Sequence, residues 1–267
     1  MIRLPLDVLL LPVLLGVQPL LLSAAPTSVR AQAATGARAQ YPVGLTVAYG
    51  LGAYGVRDEA ISKQRYEGTL PYLGVSWARG HQRYVYQLGM EIRRSDAIRN
   101  HSVGTTIIRF ALGQAFLYPV ASSTAWGRDL GLFLGPTTEL ALFLNEQHIA
   151  VDALGFAESV TGLVSLGVRA DAVLSASRRI TTLASLRTSV LSLGIHAVDD
   201  EVDDASPAKL LVPPAGINAS LEMGAIYRAT GRLSFRLAYL FQLGRVSAWD
   251  PLLDASDSVV GGLSWRF

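Results

Sequence analysis

Apolar and polar residues alternate along most of the chain after residue 42. The closing stretch shows the pattern clearly, because Leu263, Trp265 and Phe267 share one face and the positions between them are small or polar. A period of two is that of a β-strand with one apolar side. The same period recurs upstream, and together the segments predict ten strands, at about residues 43–53, 69–78, 83–93, 102–118, 130–144, 159–174, 180–195, 217–228, 233–243 and 258–267.

The connections between these strands predict two unlike ends. Short segments at 78–82, 175–179 and 230–232 predict tight turns, and 119–128 predicts a longer one. The polar segments predict loops at the other end, at 57–68, 94–101, 145–157, 197–216 and 246–257.

Two irregularities are expected within the strands. The apolar positions of the seventh strand change face near Val190, which predicts a β-bulge. Pro136 lies inside the fifth strand, and since proline cannot donate a hydrogen bond to a neighbouring strand, a bulge or an irregular register is expected there.

Two folds account for the alternation. In a soluble β-sandwich the apolar face is the interior, whereas in a transmembrane barrel it faces lipid and the polar face lines the lumen. The polar face is rich in glycine, serine, threonine and isolated charges of both signs, and aromatic residues lie near the strand ends. This favours a closed antiparallel up-and-down transmembrane β-barrel, since an open sheet edge in hydrocarbon leaves backbone groups without partners.

The final strand resembles the C-terminal signal of bacterial outer-membrane β-barrel proteins. In that group the last strand pairs with the first, and the assembly machinery reads the terminal aromatic residue. The resemblance implies that Leu263, Trp265 and Phe267 form a closure and assembly signal. It also implies a Gram-negative outer membrane, with lipid, lipopolysaccharide and the barrel assembly machinery as partners. The resemblance is to the architecture rather than to one subfamily.

The first 33 residues predict a secretory signal peptide. Arg3 precedes an apolar segment from Val8 to Leu22, and Ala31-Gln-Ala33 has the small-x-small pattern of a cleavage site. A second possible cleavage site ends at Ala39, and an uncleaved membrane anchor is the alternative. The predicted organisation is a signal peptide at 1–33, a short segment at 34–42 and a barrel at 43–267.

Composition narrows the remaining possibilities. Half of the residues are hydrophobic and 16% are charged, yet no segment after the signal peptide has an apolar run near twenty residues, the length of a membrane-spanning helix. The absence of cysteine excludes disulfides and thiolate chemistry. The net charge is only +2, because basic and acidic residues are present in nearly equal numbers. This gives no reason to expect nucleic acid as a partner.

The lumen of so narrow a barrel is expected to be largely filled by side chains. One interpretation is an ion-paired filling that keeps buried charges satisfied. The other is a lining with excess positive charge that lets small anions pass. The charged residues predicted to face inward are Glu91, Arg93, Arg109, Glu139, Arg169, Asp171, Arg187, Glu222, Arg228 and Arg236.

Histidines beside acids raise the possibility of an enzyme. Outer-membrane proteases of the omptin type have ten strands and an Asp/His pair at the outer rim, and His148 with Asp152, or His196 with Asp199, is similar in outline. An imidazole beside a carboxylate can activate water. None of that family's local motifs is present. A lipid A-modifying enzyme would need a serine nucleophile with a histidine and an acid, and no motif for one is found.

One acidic segment could bind a metal ion. Carboxylate oxygens are the ligands of Ca²⁺ and Mg²⁺, but the spacing matches no calcium-binding loop, and a solvated acidic loop is the better interpretation. The residues concerned are Asp199, Asp200, Asp203 and Asp204. No cofactor is predicted. The sequence thus favours a structural or surface barrel, or a narrow pore for small solutes; a hydrolase at the extracellular rim is the alternative.

Overall fold

A computed structural model describes residues 41–100, 103–148, 156–198 and 206–267. Among these residues no helix is long and apolar enough to cross a membrane. They form one antiparallel sheet whose strands are β1 (Gly44–Asp58), β2 (Ser62–Thr69), β3 (Tyr72–Gly80), β4 (Val85–Asn100), β5 (Val103–Ala125), β6 (Arg128–His148), β7 (Phe156–Leu174), β8 (Ile180–Val198), β9 (Ser206–Leu211), β10 (Gly216–Arg228), β11 (Leu233–Val246) and β12 (Leu252–Trp265).

The sheet closes on itself because β1 pairs with β12. Their register runs from Leu45 opposite Trp265 to Asp58 opposite Leu252. The ring has ten positions, since β2 and β3 share the place between β1 and β4, and β9 and β10 both pair with β8. Closure joins the first and last strands of the ring, which removes the open edge that each would otherwise have; among the described strands, β9 pairs on one side only, with β8. The predicted closed antiparallel barrel is confirmed.

The apolar face of the sheet points outward. On β11, Leu237, Tyr239 and Phe241 are 62%, 41% and 38% exposed, whereas in a β-sandwich they would be buried between two sheets. The inward positions of the same strand are buried, as Gln242 at 1% exposure shows. This reversal, apolar outside and polar inside, excludes the sandwich.

The strands extend further than the alternation predicts. The polar segment 57–68 is a hairpin rather than a loop, because β1 continues to Asp58 and β2 begins at Ser62. The predicted connection at 119–128 is likewise mostly strand, since β5 ends at Ala125 and β6 begins at Arg128. Antiparallel pairing satisfies backbone groups whatever the side chains are, so the ladder continues where the apolar alternation stops.

The other predicted loops are also shortened by strand ends. β4 reaches Asn100 and β5 starts at Val103, where a loop was expected at 94–101. Within the segment 197–216, β9 pairs with β8, and β12 begins at Leu252 rather than at residue 258. In each case the added residues lie at the end of the barrel that carries the longer connections.

The predicted bulge at Val190 is confirmed. Leu166 of β7 pairs with Leu191 of β8, whereas Gly167 pairs with Ser189, which leaves Val190 without a partner in this ladder. One extra residue moves the following side chains to the opposite face of a strand. The change of apolar face in this strand therefore reflects a real irregularity in pairing.

The irregularity expected at Pro136 lies elsewhere. Pro136 stays in register opposite Val168 of β7, and the register shift between β5 and β6 lies between Pro119 and Ala121. The missing hydrogen-bond donor of Pro136 therefore does not displace its strand.

The β5–β6 hairpin has a strained turn. Its two turn residues, Trp126 and Gly127, have φ angles of 50° and 70°, and such left-handed conformations favour glycine and asparagine. Trp126→Asn is expected to raise the free energy of unfolding by up to about 1 kcal/mol, because it relieves the steric cost of a bulky residue there. Urea unfolding of the refolded protein measures this. Trp126→Ala is the control: it removes the ring but keeps the steric cost, so an equal gain from it would contradict the explanation.

Candidate functional site

The lumen is the only part of the described structure in which many polar side chains are collected away from water, and it has three zones. The zone farthest from the short turns holds apolar side chains that come from most of the ring, together with a buried hydrogen-bonded group of Asp58, Asn145 and Ser159. We call it the outer plug, formed by Tyr54, Val56, Tyr66, Leu70, Ile98, Ile107, Phe143, Leu211, Val246 and Leu252. Several of these side chains are fully buried. The outer plug therefore closes the lumen at the end that carries the longer connections.

Next to the outer plug lies a charge layer, formed by Glu91, Arg93, Arg109, Gln242, Asp254 and Ser256. Arg109 of β5 donates from Nη1 to Asp254 Oδ2 of β12 at 2.6 Å, and the two side chains are 6% and 8% exposed. These strands lie several positions apart around the ring. The pair therefore crosses the lumen, and each charge depends on the other since water is excluded.

Arg93 is the most deeply buried charge in this layer. Its side chain is 0% exposed, it donates to Ser256 Oγ at 2.9 Å, and its guanidinium lies 4.9 Å from the centre of the Tyr72 ring. Glu91 Oε1 is 3.8 Å from Arg93 Nε. Gln242 donates to Glu91 at 3.1 Å. These contacts connect β4 with β11 and β12 through the centre of the barrel.

A third zone opens toward the short turns and the ends of β1 and β12. This inner cavity has a volume of about 220 Å³. Two ion pairs form part of its wall, Arg187 with Glu139 and Arg236 with Glu222. Glu139 also accepts a hydrogen bond from Asn218. In outer-membrane barrels the short turns are periplasmic, so the inner cavity opens to the periplasm and ends blindly at the charge layer.

Tyr41 contributes to the inner cavity although it precedes the first strand. Its hydroxyl donates to Asp171 and accepts from Gln87 Nε2 at 2.6 Å, while Arg169 donates to the same carboxylate at 2.8 Å. The ring packs edge-on against Phe133 with centroids 5.0 Å apart. The sequence contains one signal of this role, which is an aromatic residue directly before the first strand. Assigning residues 34–42 to a separate segment missed that Tyr41 belongs to the barrel lumen.

The charged residues predicted to face the lumen lie on the inward side of their strands. Four of them are buried, namely Arg93, Arg109, Glu139 and Asp171. The others line the inner cavity: Glu91, Arg169, Arg187, Glu222, Arg228 and Arg236.

His196 lies inside the barrel rather than at a water-exposed rim. It is 6% exposed, its Nδ1 is 3.0 Å from Thr161 Oγ1, and its ring stacks on Trp249 with centroids 6.0 Å apart. Within the described residues it forms no ion pair with a carboxylate, and its Nε2 has no hydrogen-bond partner. The histidine thus packs beside the outer plug; Asp58 and Asp250 are near enough to act on it electrostatically, but neither forms a hydrogen bond or an ion pair with it.

The remaining sequence-predicted site residues fall mostly outside the described part of the chain. His148 ends β6, and its side chain lies outside the described part of the structure. Outside the described residues lie the other candidate catalytic and metal-binding positions, Asp152, Asp199, Asp200, Asp203 and Asp204. Among the residues that are described, no group of three or more metal-ligating side chains is found.

The residues proposed as the closure signal lie on the outer surface of the last strand. Leu263 pairs opposite Val47 and Trp265 opposite Leu45 in the β1–β12 ladder. Their side chains, and that of Phe267, are 51%, 47% and 83% exposed. They therefore face lipid at the junction that closes the ring.

Comparisons with known proteins find resemblance in structure alone. No family model matches the chain, and no curated protein matches it in sequence. The outer-membrane protease OmpT from Escherichia coli is 7% identical with a TM-score of 0.49, covering 85% of this chain and 99% of that one. The translocator domain of the autotransporter NalP from Neisseria meningitidis is 10% identical with a TM-score of 0.45, covering 85% and 90%. Ail, the attachment invasion locus protein of Yersinia pestis, is 8% identical with a TM-score of 0.31, covering 85% and 100%.

The features of the barrel itself establish the architecture. A closed ring, an apolar exterior and a polar, buried lumen occur together only where the exterior meets hydrocarbon. The chain has the architecture of an outer-membrane β-barrel. The predicted outer-membrane location agrees with this architecture.

Proposed function

We propose that the protein is an integral outer-membrane barrel with a structural or surface role, and that its lumen is sealed to solutes by the outer plug and by an ion-paired charge layer. The observation that carries this proposal is that the two zones adjoin across the same narrow lumen, since Tyr54 and Val56 of the outer plug pair opposite Ser256 and Asp254 of the charge layer. A solute would have to displace both the apolar side chains of the outer plug and the crossing pair Arg109–Asp254.

The buried charges support a sealed lumen rather than an anion path. Selective pores line their walls with charges that stay hydrated and can exchange partners. Here Arg93, Arg109 and Asp254 are almost inaccessible to water and have fixed partners across the barrel. Charges held in this way act as cross-links between strands, which suits a barrel whose function lies in its rigidity and outer surface.

A hydrolase at the extracellular rim gains no support from the described residues. Catalysis by a histidine requires a neighbouring acid and access for substrate. His196 is buried and bonded to Thr161, and the nearby Asp58 and Asp250 form no hydrogen bond with it. The pair His148–Asp152 stays a prediction from the sequence.

Conductance in planar lipid bilayers tests the sealed lumen. The refolded protein is expected to insert without a steady ionic current, because neither zone leaves a water-filled path. A general porin inserted into the same bilayers serves as the positive control. A steady ohmic current from the unaltered protein would overturn the proposal.

A further inference from the structure

The wall of the inner cavity carries more positive than negative charge. Its lining includes three glutamates, Glu91, Glu139 and Glu222, and six arginines, Arg169, Arg179, Arg187, Arg228, Arg236 and Arg266.

Ion pairing accounts for only part of this positive charge. Arg187 and Arg236 each have a glutamate of the wall as partner, and Arg169 pairs with Asp171. Among the described residues, no carboxylate lies within ion-pair distance of Arg179, Arg228 or Arg266.

The three remaining arginines lie along one part of the rim of the inner cavity, from β8 to β12. The Arg228 amide donates to the Arg179 carbonyl at 2.7 Å, which fixes these two positions side by side on β10 and at the start of β8. Arg266 follows β12, and its amide donates to the Arg232 carbonyl at 2.8 Å, in the turn that joins β10 to β11. The three therefore occupy neighbouring positions of the ring, on one side of the opening.

The size of the inner cavity restricts what could bind there. At about 220 Å³ it has room for about seven water molecules. It is smaller than the pockets of roughly 300 Å³ and more that hold drug-sized ligands. Its blind end at the charge layer also excludes an extended chain that passes through.

We infer that the inner cavity is a binding site for a small phosphate-class oxyanion drawn from the periplasm, held at its mouth by Arg179, Arg228 and Arg266. Guanidinium groups bind phosphate oxygens through paired, charge-assisted hydrogen bonds. Arg228 and Arg266 are half-buried and Arg179 is exposed, and the partial enclosure of the first two strengthens their bonds compared with those of arginines on an open surface. This inference goes beyond the proposed structural role, because a sealed barrel need not bind anything in its lumen.

Calorimetric titration of the refolded protein with inorganic phosphate at low ionic strength tests the inference. Saturable binding of one phosphate per barrel is expected. Arg228→Gln and Arg266→Gln, made separately, are each expected to weaken it by about tenfold, the loss of one charge-assisted contact. Arg178→Gln is the matched control, because Arg178 is exposed, lies next to Arg179 and does not line the inner cavity. It is expected to leave the affinity unchanged.

Further titrations separate the sources of the phosphate group. Glycerol phosphate is expected to bind as inorganic phosphate does, whereas phosphatidylglycerol in mixed micelles is expected not to compete, since the inner cavity opens inside the ring and away from lipid. Competition by the lipid would overturn the assignment to a soluble anion.

Absence of saturable phosphate binding, or an equal loss of affinity in Arg178→Gln, would overturn the site itself. Each variant is first checked for the heat-modifiable gel mobility of a folded barrel. Bilayer conductance is a separate readout, so a conducting barrel that still binds phosphate would refute the seal and leave the site standing.

Discussion

Asp254→Asn is expected to lower the free energy of unfolding by about 3 to 5 kcal/mol, because it leaves the buried guanidinium of Arg109 without its counter-charge. Arg109 reaches Asp254 across the lumen at 2.6 Å, and the two side chains are 6% and 8% exposed. Water cannot replace the lost carboxylate at that depth. Urea unfolding in detergent micelles, followed by tryptophan fluorescence, measures the change.

Two further variants make this prediction specific. Glu59→Gln breaks an exposed pair, since Arg57 is 48% exposed, and it is expected to cost less than about 1 kcal/mol. The double variant Arg109→Met/Asp254→Leu removes both charges together and is expected to be far closer to the unaltered protein than Asp254→Asn alone. If the double variant were as unstable as the single one, the cost would come from lost packing, and the explanation by an unpaired charge would fail.

The membrane-facing half of the fold could be predicted from sequence because it depends on local alternation. Residues two apart share a face of the strand. A series such as Leu237, Tyr239 and Phe241 therefore shows that this face of the strand lies in an apolar environment. The bulge at Val190 was predictable for the same reason, as one extra residue changes the face of all that follow.

Strand ends could not be predicted in this way. At these strand ends the outward face meets water and the inward face packs apolar side chains such as Tyr54, Val56 and Tyr66, so the outward apolar series used to find the strands ends although pairing continues. The hairpin between Asp58 and Ser62 is an example, since the outward residues Arg57 and Arg65 pair opposite each other. Only the three-dimensional structure shows that such polar stretches are still strand.

The partners within the lumen were also beyond sequence reasoning. Alternation predicts that Arg109 faces inward, but which carboxylate it meets depends on the shear and tilt of the whole ring. Its partner Asp254 lies in a segment predicted to be a loop, and 145 residues separate the two. The same holds for Tyr41, whose partner Asp171 is 130 residues away.

These long separations relate the seal to the assembly of the barrel. The contacts of the charge layer join strands from opposite ends of the chain, so they can form only when the ring is nearly closed. Arg93 with Ser256 and Gln242 with Glu91 each connect β4 to one of the last two strands. Closure of the ladder between β1 and β12 therefore also brings these buried charges to their partners.

A charged residue on the lipid-facing surface of the barrel is expected to have the second large effect on stability. Leu237→Arg is expected to destabilise the barrel by about 2 to 4 kcal/mol, the cost of a charged residue on the lipid face near the bilayer midplane. Leu237 is 62% exposed and lies near the middle of the outward apolar series on β11, opposite Gly261 of β12 and Ala225 of β10. No neighbouring side chain there offers a counter-charge, so the guanidinium would be solvated only by distorting the lipid.

Leu253→Arg is the matched control for this substitution. Leu253 is also exposed, at 44%, but it pairs opposite Arg57 and Arg245 at the end of the barrel that carries the longer connections. A further arginine there meets water, and a cost of about 0 to 1 kcal/mol is expected. Urea unfolding of both variants in lipid vesicles measures the difference. Equal costs at the two positions would mean that the outward face of β11 does not lie in hydrocarbon, and the membrane placement of the barrel would have to be abandoned.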